Sequence, residues 1–232
     1  MSALLAIDTA DRTAGVALLA EGQVVAEYME ASAYRHSERL FALVDQALRG
    51  AGLGRGDLSG IAVTTGPGSF TGLRVGLATA KGLAYSLEVP LVGVSTLEAM
   101  ARGAMPFRGI VLPMLDARKR QVYAAGFDGR DGSEVLSPQA IFPEELAAQI
   151  GQSEGDLLAV GSGLGPYREL FKAVFGERLL CIEKIRWGIP PAQVAMLGAS
   201  FLLEGKGQSP EAVSPIYLRK SEAEETRGRR PR

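Results

Sequence analysis

The chain has 232 residues, enough for one large domain or two small ones. Apolar residues make up 47% of it, which supplies a packed core, and 25 basic against 26 acidic side chains leave no general basic excess of the kind that grips nucleic acid. A single cysteine, Cys181, excludes an internal disulfide and a cysteine-rich zinc site, and it fits a reducing compartment.

The run from Met1 to Asp8 has no basic n-region and too short an apolar core for a signal peptide. No stretch reaches the ~18–20 apolar residues that cross a bilayer. A cytoplasmic protein is therefore expected. Leu4 to Ile7 reads as a strand closed by Asp8 and the polar turn Thr9 to Thr13. Val16 to Leu19 and Val24 to Ala26 follow as a hairpin, with Gly22 placed where the turn needs positive φ. Leu40, Leu43, Val44, Ala47 and Leu48 then recur at helical spacing, and Gly50 and Gly52 stop that helix. Ile61 to Thr65 is a strand, Gly66 to Ser69 a turn, Thr71 to Leu87 a long helix, and Val89 to Val94 another strand.

The same order then recurs. Ile110 to Leu115 is a strand closed by Asp116 and a polar turn, followed by Val122 to Ala125, a glycine-containing turn, and Val135-Leu136. Pro143-Glu144-Glu145 opens a helix with proline and acids in its first turn. Leu157 to Val160 is a strand, Gly161 to Gly165 a glycine loop, and Pro166 starts a helix carrying Tyr167, Leu170, Phe171 and Val174. Each half thus reads β-β-β-α-β-α, which points to an α/β fold made by duplication. One α/β domain with coincidentally similar halves is the alternative. The expected lobes are 1–108 and 109–219. A last helix, 190–204, can pack back on the first lobe, and 220–232 reads as a charged, disordered tail.

Several chemistries are excluded by counting. His36 is the sole histidine, so a zinc site on two helical histidines cannot form. The serine elbow G-x-S-x-G and the phosphate loop G-x-x-x-x-G-K-[ST] are both missing. The stretch Gly66-Pro67-Gly68-Ser69-Phe70-Thr71-Gly72-Leu73-Arg74-Val75-Gly76 joins a strand to a helix, a place where free backbone N–H groups cradle anions. Its spacing departs from the dinucleotide fingerprint, and anion binding and a purely structural turn both fit it.

The helix after that loop repeats small residues every four positions, Gly72, Gly76, Ala80 and Ala84, and is apolar nearly all round. Such a stripe lets another helix approach closely. Either another chain or the chain's own first helix can cover it. Asp8 and Asp116 close equivalent strands, and in duplicated folds of this order such ends face each other across a cleft that can hold a metal-bound nucleotide. The turns after them contain no glycine to wrap phosphates, so the cleft reads as vestigial.

Ala6-Ile7-Asp8-Thr9, His36-Ser37-Glu38, the GPGSFTGLRVG block at 66–76, Asp116-Ala117-Arg118 with Val122-Tyr123, and Pro215-Ile216-Tyr217-Leu218-Arg219 together resemble the TsaB (YeaZ) family. The resemblance runs from the N-terminus to about Arg219. It implies a two-lobed actin-like, Hsp70/sugar-kinase fold and a part in forming N6-threonylcarbamoyladenosine at position 37 of tRNAs reading ANN codons. It also implies that catalysis belongs to a related subunit, TsaD, which holds metal through a His-x-x-x-His pair. Here the matching place, His36 to Leu40, has one histidine. The chain is thus expected to be a non-catalytic scaffold that pairs with TsaD and recruits the ATPase TsaE. No cofactor is expected on this chain alone, with ATP and metal in the partner subunits. By the same resemblance the pairing surface is assigned to His36, Leu40, Val44, Gly72, Gly76 and Ala80. A sugar-kinase-type phosphotransferase using Asp8, and a homodimer through the same helices, are the competing readings.

Overall fold

The computed structural model describes residues 2–31, 36–182 and 188–219, with the side chains of residues 36–38 outside that set. The tail expected at 220–232 also lies outside it.

Five strands form the first sheet: β1 (Ala3–Asp8), β2 (Thr13–Ala20), β3 (Gln23–Ala31), β4 (Leu58–Gly66) and β5 (Leu91–Ser95), in the order β3-β2-β1-β4-β5. β1 pairs antiparallel with β2 and parallel with β4, and β4 pairs parallel with β5. The second sheet repeats this plan with β6 (Gly109–Asp116), β7 (Val122–Asp128), β8 (Glu134–Ile141), β9 (Asp156–Val160) and β10 (Leu179–Cys181), ordered β10-β9-β6-β7-β8. The pairing senses match strand for strand. The duplication is therefore real, and it extends further than the sequence pattern suggested. The first half gains a helix at Thr96–Arg102 after β5, and the second gains its fifth strand, β10.

Helices α1 (His36–Gly50) and α2 (Phe70–Leu87) cover the outer face of the first sheet. α4 (Pro143–Gly151) and α5 (Arg168–Phe175) cover the outer face of the second. The closing helices cross over. α3 (Thr96–Arg102) follows β5 yet packs on β6 and β7, while α6 (Pro191–Leu203) follows β10 yet packs on β1, β2 and β4. The last helix thus lies on the first sheet.

Three apolar layers result. Leu5, Ile7, Val16, Leu18, Ile61 and Val63 point outward from the first sheet and meet Leu40, Leu43, Val44, Leu77 and Leu83. Leu112, Met114, Val122 and Ala124 do the same in the second lobe against Leu146, Phe171 and Phe175. Between the lobes, Leu4, Ala6, Ala17, Ala62 and Val92 meet α6 and α3, with Val111, Leu115 and Phe127 across from them. β1 is buried along its whole length, because both its faces carry apolar residues at period two. The inter-lobe face is built from small residues for a reason. A Cβ at Gly198 would collide with the Ala62 methyl, and one at Gly15 with the Pro191 ring, so α6 lies directly on the sheet.

Candidate partner face and inter-lobe cleft

Both strand-end turns lie at the rim between the lobes. Asp8 is fully buried, and its Oδ1 accepts hydrogen bonds from Thr64 Oγ1 at 2.7 Å and Ala10 N at 3.1 Å. Its Oδ2 has no partner, and burial pushes the carboxyl up to about 7 despite those bonds. Asp116 is not its mirror image. It is exposed, it accepts from Arg118 N at 2.7 Å, and its register alternates with Leu112 and Met114 of the outer core. Leu115 takes the inter-lobe register that Asp8 takes in the first lobe. The expectation that the two aspartates confront each other as an equivalent pair is corrected accordingly. The carboxylate that feels Asp116 is Asp11, which burial raises and the Ser162 hydroxyl and Arg12 partly restore.

The glycine block is consumed by contacts within the chain. Ser69 N donates to Ala10 O at 2.7 Å, Thr9 Oγ1 donates to Gly72 O at 2.7 Å, and Ser69 Oγ caps α2 by accepting from Gly72 N at 3.2 Å. A Cβ at Gly68 or Gly72 would run into the backbone oxygens of Ala10 or Thr9, and one at Gly76 into Thr9 Oγ1. Of the two readings of this loop, the structural one describes what it does. Thr9 and Ala10 lie directly against Gly68, Gly72 and Gly76.

That geometry also corrects the assigned partner residues. Gly72, Gly76 and Ala80 are buried, and the stripe they form seats α2 on Thr9 and the sheet. Leu40 and Val44 are likewise buried in the outer core of the first lobe. None of these five is presented to a partner. The sixth, His36, lies outside the described residues. Four-residue spacing in a helix marks a face without saying which face, and a narrow stripe admits a strand-end turn as readily as a helix.

The opposite face of α2 carries its own narrow seam. Thr71, Val75, Ala78, Gly82 and Tyr85 follow at intervals of four, three, four and three, the spacing of a coiled-coil seam. Val75 is half-buried and the other four are exposed, with Tyr85 72% accessible. A Cβ at Gly82 meets nothing within 4 Å. On the neighbouring helix α1, Phe41, 48% accessible, and Ala42 are also exposed. Sequence reading missed this seam because the glycine stripe was the louder signal, yet Ala78 and Gly82 were the legible clue.

At the N-terminal end of α2 the chain's last described segment crosses from one lobe to the other. Ile216 N donates to Thr65 O at 2.7 Å, the Tyr217 ring lies 4.8 Å from that of Phe70, and Arg74 sits over Phe70 at 3.8 Å while its Nε donates to Tyr217 Oη at 3.2 Å. Arg219 Nη1 then reaches Ala117 O of the second lobe at 2.9 Å. The motif Pro215 to Arg219 is a strap that ties the lobes. Among the described residues no cluster of histidine, cysteine and carboxylate side chains can hold a metal ion, and no helix is long and apolar enough to cross a membrane.

Comparison with known proteins agrees with this architecture. The model of the family described as "TsaD: tRNA N6-adenosine threonylcarbamoyltransferase" matches residues 23–226. The "tRNA threonylcarbamoyladenosine biosynthesis protein TsaB" of Escherichia coli is 34% identical over 227 residues, covering 95% of this chain and 96% of its own. The protein of the same name from Bacillus subtilis is 33% identical over 223 residues, with 95% and 96% covered. A Pseudomonas aeruginosa crystal structure described as an uncharacterized protein with similarity to peptidase YEAZ superposes with a TM-score of 0.81 at 30% identity, covering 94% of this chain and all of that one. A hexokinase from Thermus thermophilus shares the fold alone, with a TM-score of 0.53 at 10% identity over 88% of this chain and all of that one. The fold is the duplicated two-lobed actin-like and sugar-kinase type, and the chain belongs to the TsaB (YeaZ) family of tRNA threonylcarbamoyladenosine biosynthesis proteins.

Proposed function

We propose that this chain is a non-catalytic partner subunit in the formation of N6-threonylcarbamoyladenosine at position 37 of tRNAs reading ANN codons. It pairs with a threonylcarbamoyltransferase of the TsaD type, and the pair takes up the ATPase TsaE. The observation that carries this reading is the exposed seam of α2, narrow at Ala78 and Gly82 and ending on Tyr85, with Phe41 exposed on the neighbouring α1. Aromatic anchors beside a surface that admits close backbone approach are what a helix-packed interface requires.

A like-built partner suits that seam. The "tRNA N6-adenosine threonylcarbamoyltransferase" of Cereibacter sphaeroides is 53% identical to this chain over 72 residues, which are 31% of this chain and 20% of that protein. Two subunits that share sequence can pair through corresponding faces about a local two-fold, as homodimers do. A homodimer of this chain through the same seam is compatible with the heterodimer and competes with it.

The absence of chemistry of its own is supported by three features. A single histidine cannot supply a paired-histidine metal site. No serine elbow serves a peptidase reaction. Thr9 and Ala10 pack against the glycine block and Asp8 is fully buried, which argues against these residues holding a metal-bound nucleotide. The test is reconstitution of the modification from purified components with this chain omitted and then restored. Product should form only in its presence, and the chain alone should yield none. Product formed equally well without it refutes the proposal.

A further inference from the structure

The turn after β6 has an unusual backbone. Arg118, Lys119 and Arg120 have φ of 59°, 50° and 64°, so three consecutive L-residues sit in the left-handed region. They are three of only five non-glycine residues with positive φ among the described residues. Elsewhere the chain meets the same need with glycine, as at Gly22, Gly52 and Gly132. Here it keeps three long cations instead.

The conformation is held from several sides. Asp116 Oδ1 takes the Arg118 N–H at 2.7 Å, Gln121 N donates to Arg118 O at 3.0 Å, Ala117 N donates to Gln121 O at 3.0 Å, and Arg219 holds Ala117 O at 2.9 Å. All three basic side chains are exposed, and among the described residues neither Arg118 nor Arg120 forms an ion pair. Across the rim, the turn after β1 adds Arg12. Five cations (Arg12, Arg118, Lys119, Arg120 and Arg219) thus gather near two carboxylates, Asp11 and Asp116, in a chain whose net charge is −1. A strained backbone retained with basic side chains marks a place where those side chains are used.

We propose that the turn Ala117–Gln121 is a contact for the phosphodiester backbone of tRNA. This rests on the function proposed above, which makes tRNA the substrate of the assembled complex. Three of the turn's five backbone N–H groups, those of Ala117, Arg118 and Gln121, are engaged within the chain, which leaves little of a cradle for the clustered phosphates of a nucleotide. It offers separated guanidinium forks directed outward, which suit phosphates spaced along a strand.

The double variant Arg118→Gly/Arg120→Gly separates use from architecture, since glycine accepts the left-handed conformation while the two exposed cationic side chains are removed. In complex with the transferase subunit, binding to an unmodified tRNA transcript is followed by fluorescence anisotropy across a salt series. The variant is expected to melt no lower than wild type and to keep its partner. It should bind tRNA roughly 10-fold or more weakly at about 0.1 M salt, with the slope of log affinity against log salt reduced by about 1.5–2. Unchanged affinity and slope overturn the assignment. So does loss of the protein partner, which would make the turn a protein contact, or loss of ATP binding with tRNA affinity intact, which would make its phosphates those of a nucleotide. If the wild-type complex binds no tRNA, the function proposed above fails together with this inference.

Discussion

Replacing Asp8 by asparagine should stabilise the protein at alkaline pH and do little at acid pH. The carboxyl is fully buried and held at about 7, against 3.8 for an ordinary aspartate. Unfolded, it loses its proton near pH 4; folded, it keeps it to near pH 7. The group's contribution to stability is therefore greatest below pH 4, falls as the pH rises to about 7, and is flat above. A gap of about 3 pKa units at 1.36 kcal/mol each makes that fall about 4 kcal/mol. Asparagine keeps an oxygen for Thr64 Oγ1 and Ala10 N, but its amide takes the place of the unpartnered Oδ2, a buried donor that costs about 1–3 kcal/mol. The net expectation is a gain of about 1–3 kcal/mol at pH 8 and little or no gain at pH 5. Urea unfolding of both proteins at the two pH values, at one ionic strength, measures this directly. A stability difference that is the same at pH 5 and pH 8 would refute the reasoning.

Three further expectations follow from the same geometry. Gly76→Ala should cost about 2–4 kcal/mol in thermal or denaturant unfolding, because its methyl meets the buried Thr9 hydroxyl that bonds Gly72 O. Gly82→Ala, on the other side of the same helix, should instead gain about 0.5–1 kcal/mol, since its Cβ meets nothing and alanine favours helix. Tyr217→Ala should lose the ring contact with Phe70 and the bond from Arg74, costing about 1–2 kcal/mol and speeding proteolysis of the strap at residues 213–219.

The halves were legible because strand, aspartate and polar turn recur in order, and short apolar runs such as Leu157 to Val160 are bounded by glycine and polar residues. β10 escaped notice because three residues, Leu179–Cys181, make no pattern. α3 escaped because it follows β5 without a break and is buried on most sides. Its signal was the capping pattern of Ser95 and Glu98, where Ser95 Oγ accepts from Glu98 N at 3.3 Å. The residues assigned to the partner face, Gly72, Gly76, Ala80, Leu40 and Val44, are buried within the chain. Glycine at 72 and 76 answers to Thr9, a residue more than sixty positions away, and no local pattern encodes that contact. The left-handed turn at Arg118 was invisible for a related reason, since arginine and lysine carry no positive-φ preference and the conformation is set by Asp116 and Arg219.

The most direct test of the partner-subunit account is the light-scattering mass of this chain mixed with the transferase subunit, for wild type and for Gly82→Glu. Wild type should form a heterodimer. The variant, folded and melting close to wild type because position 82 is open to solvent, should remain apart from its partner. A heterodimer formed equally well by Gly82→Glu would contradict the account.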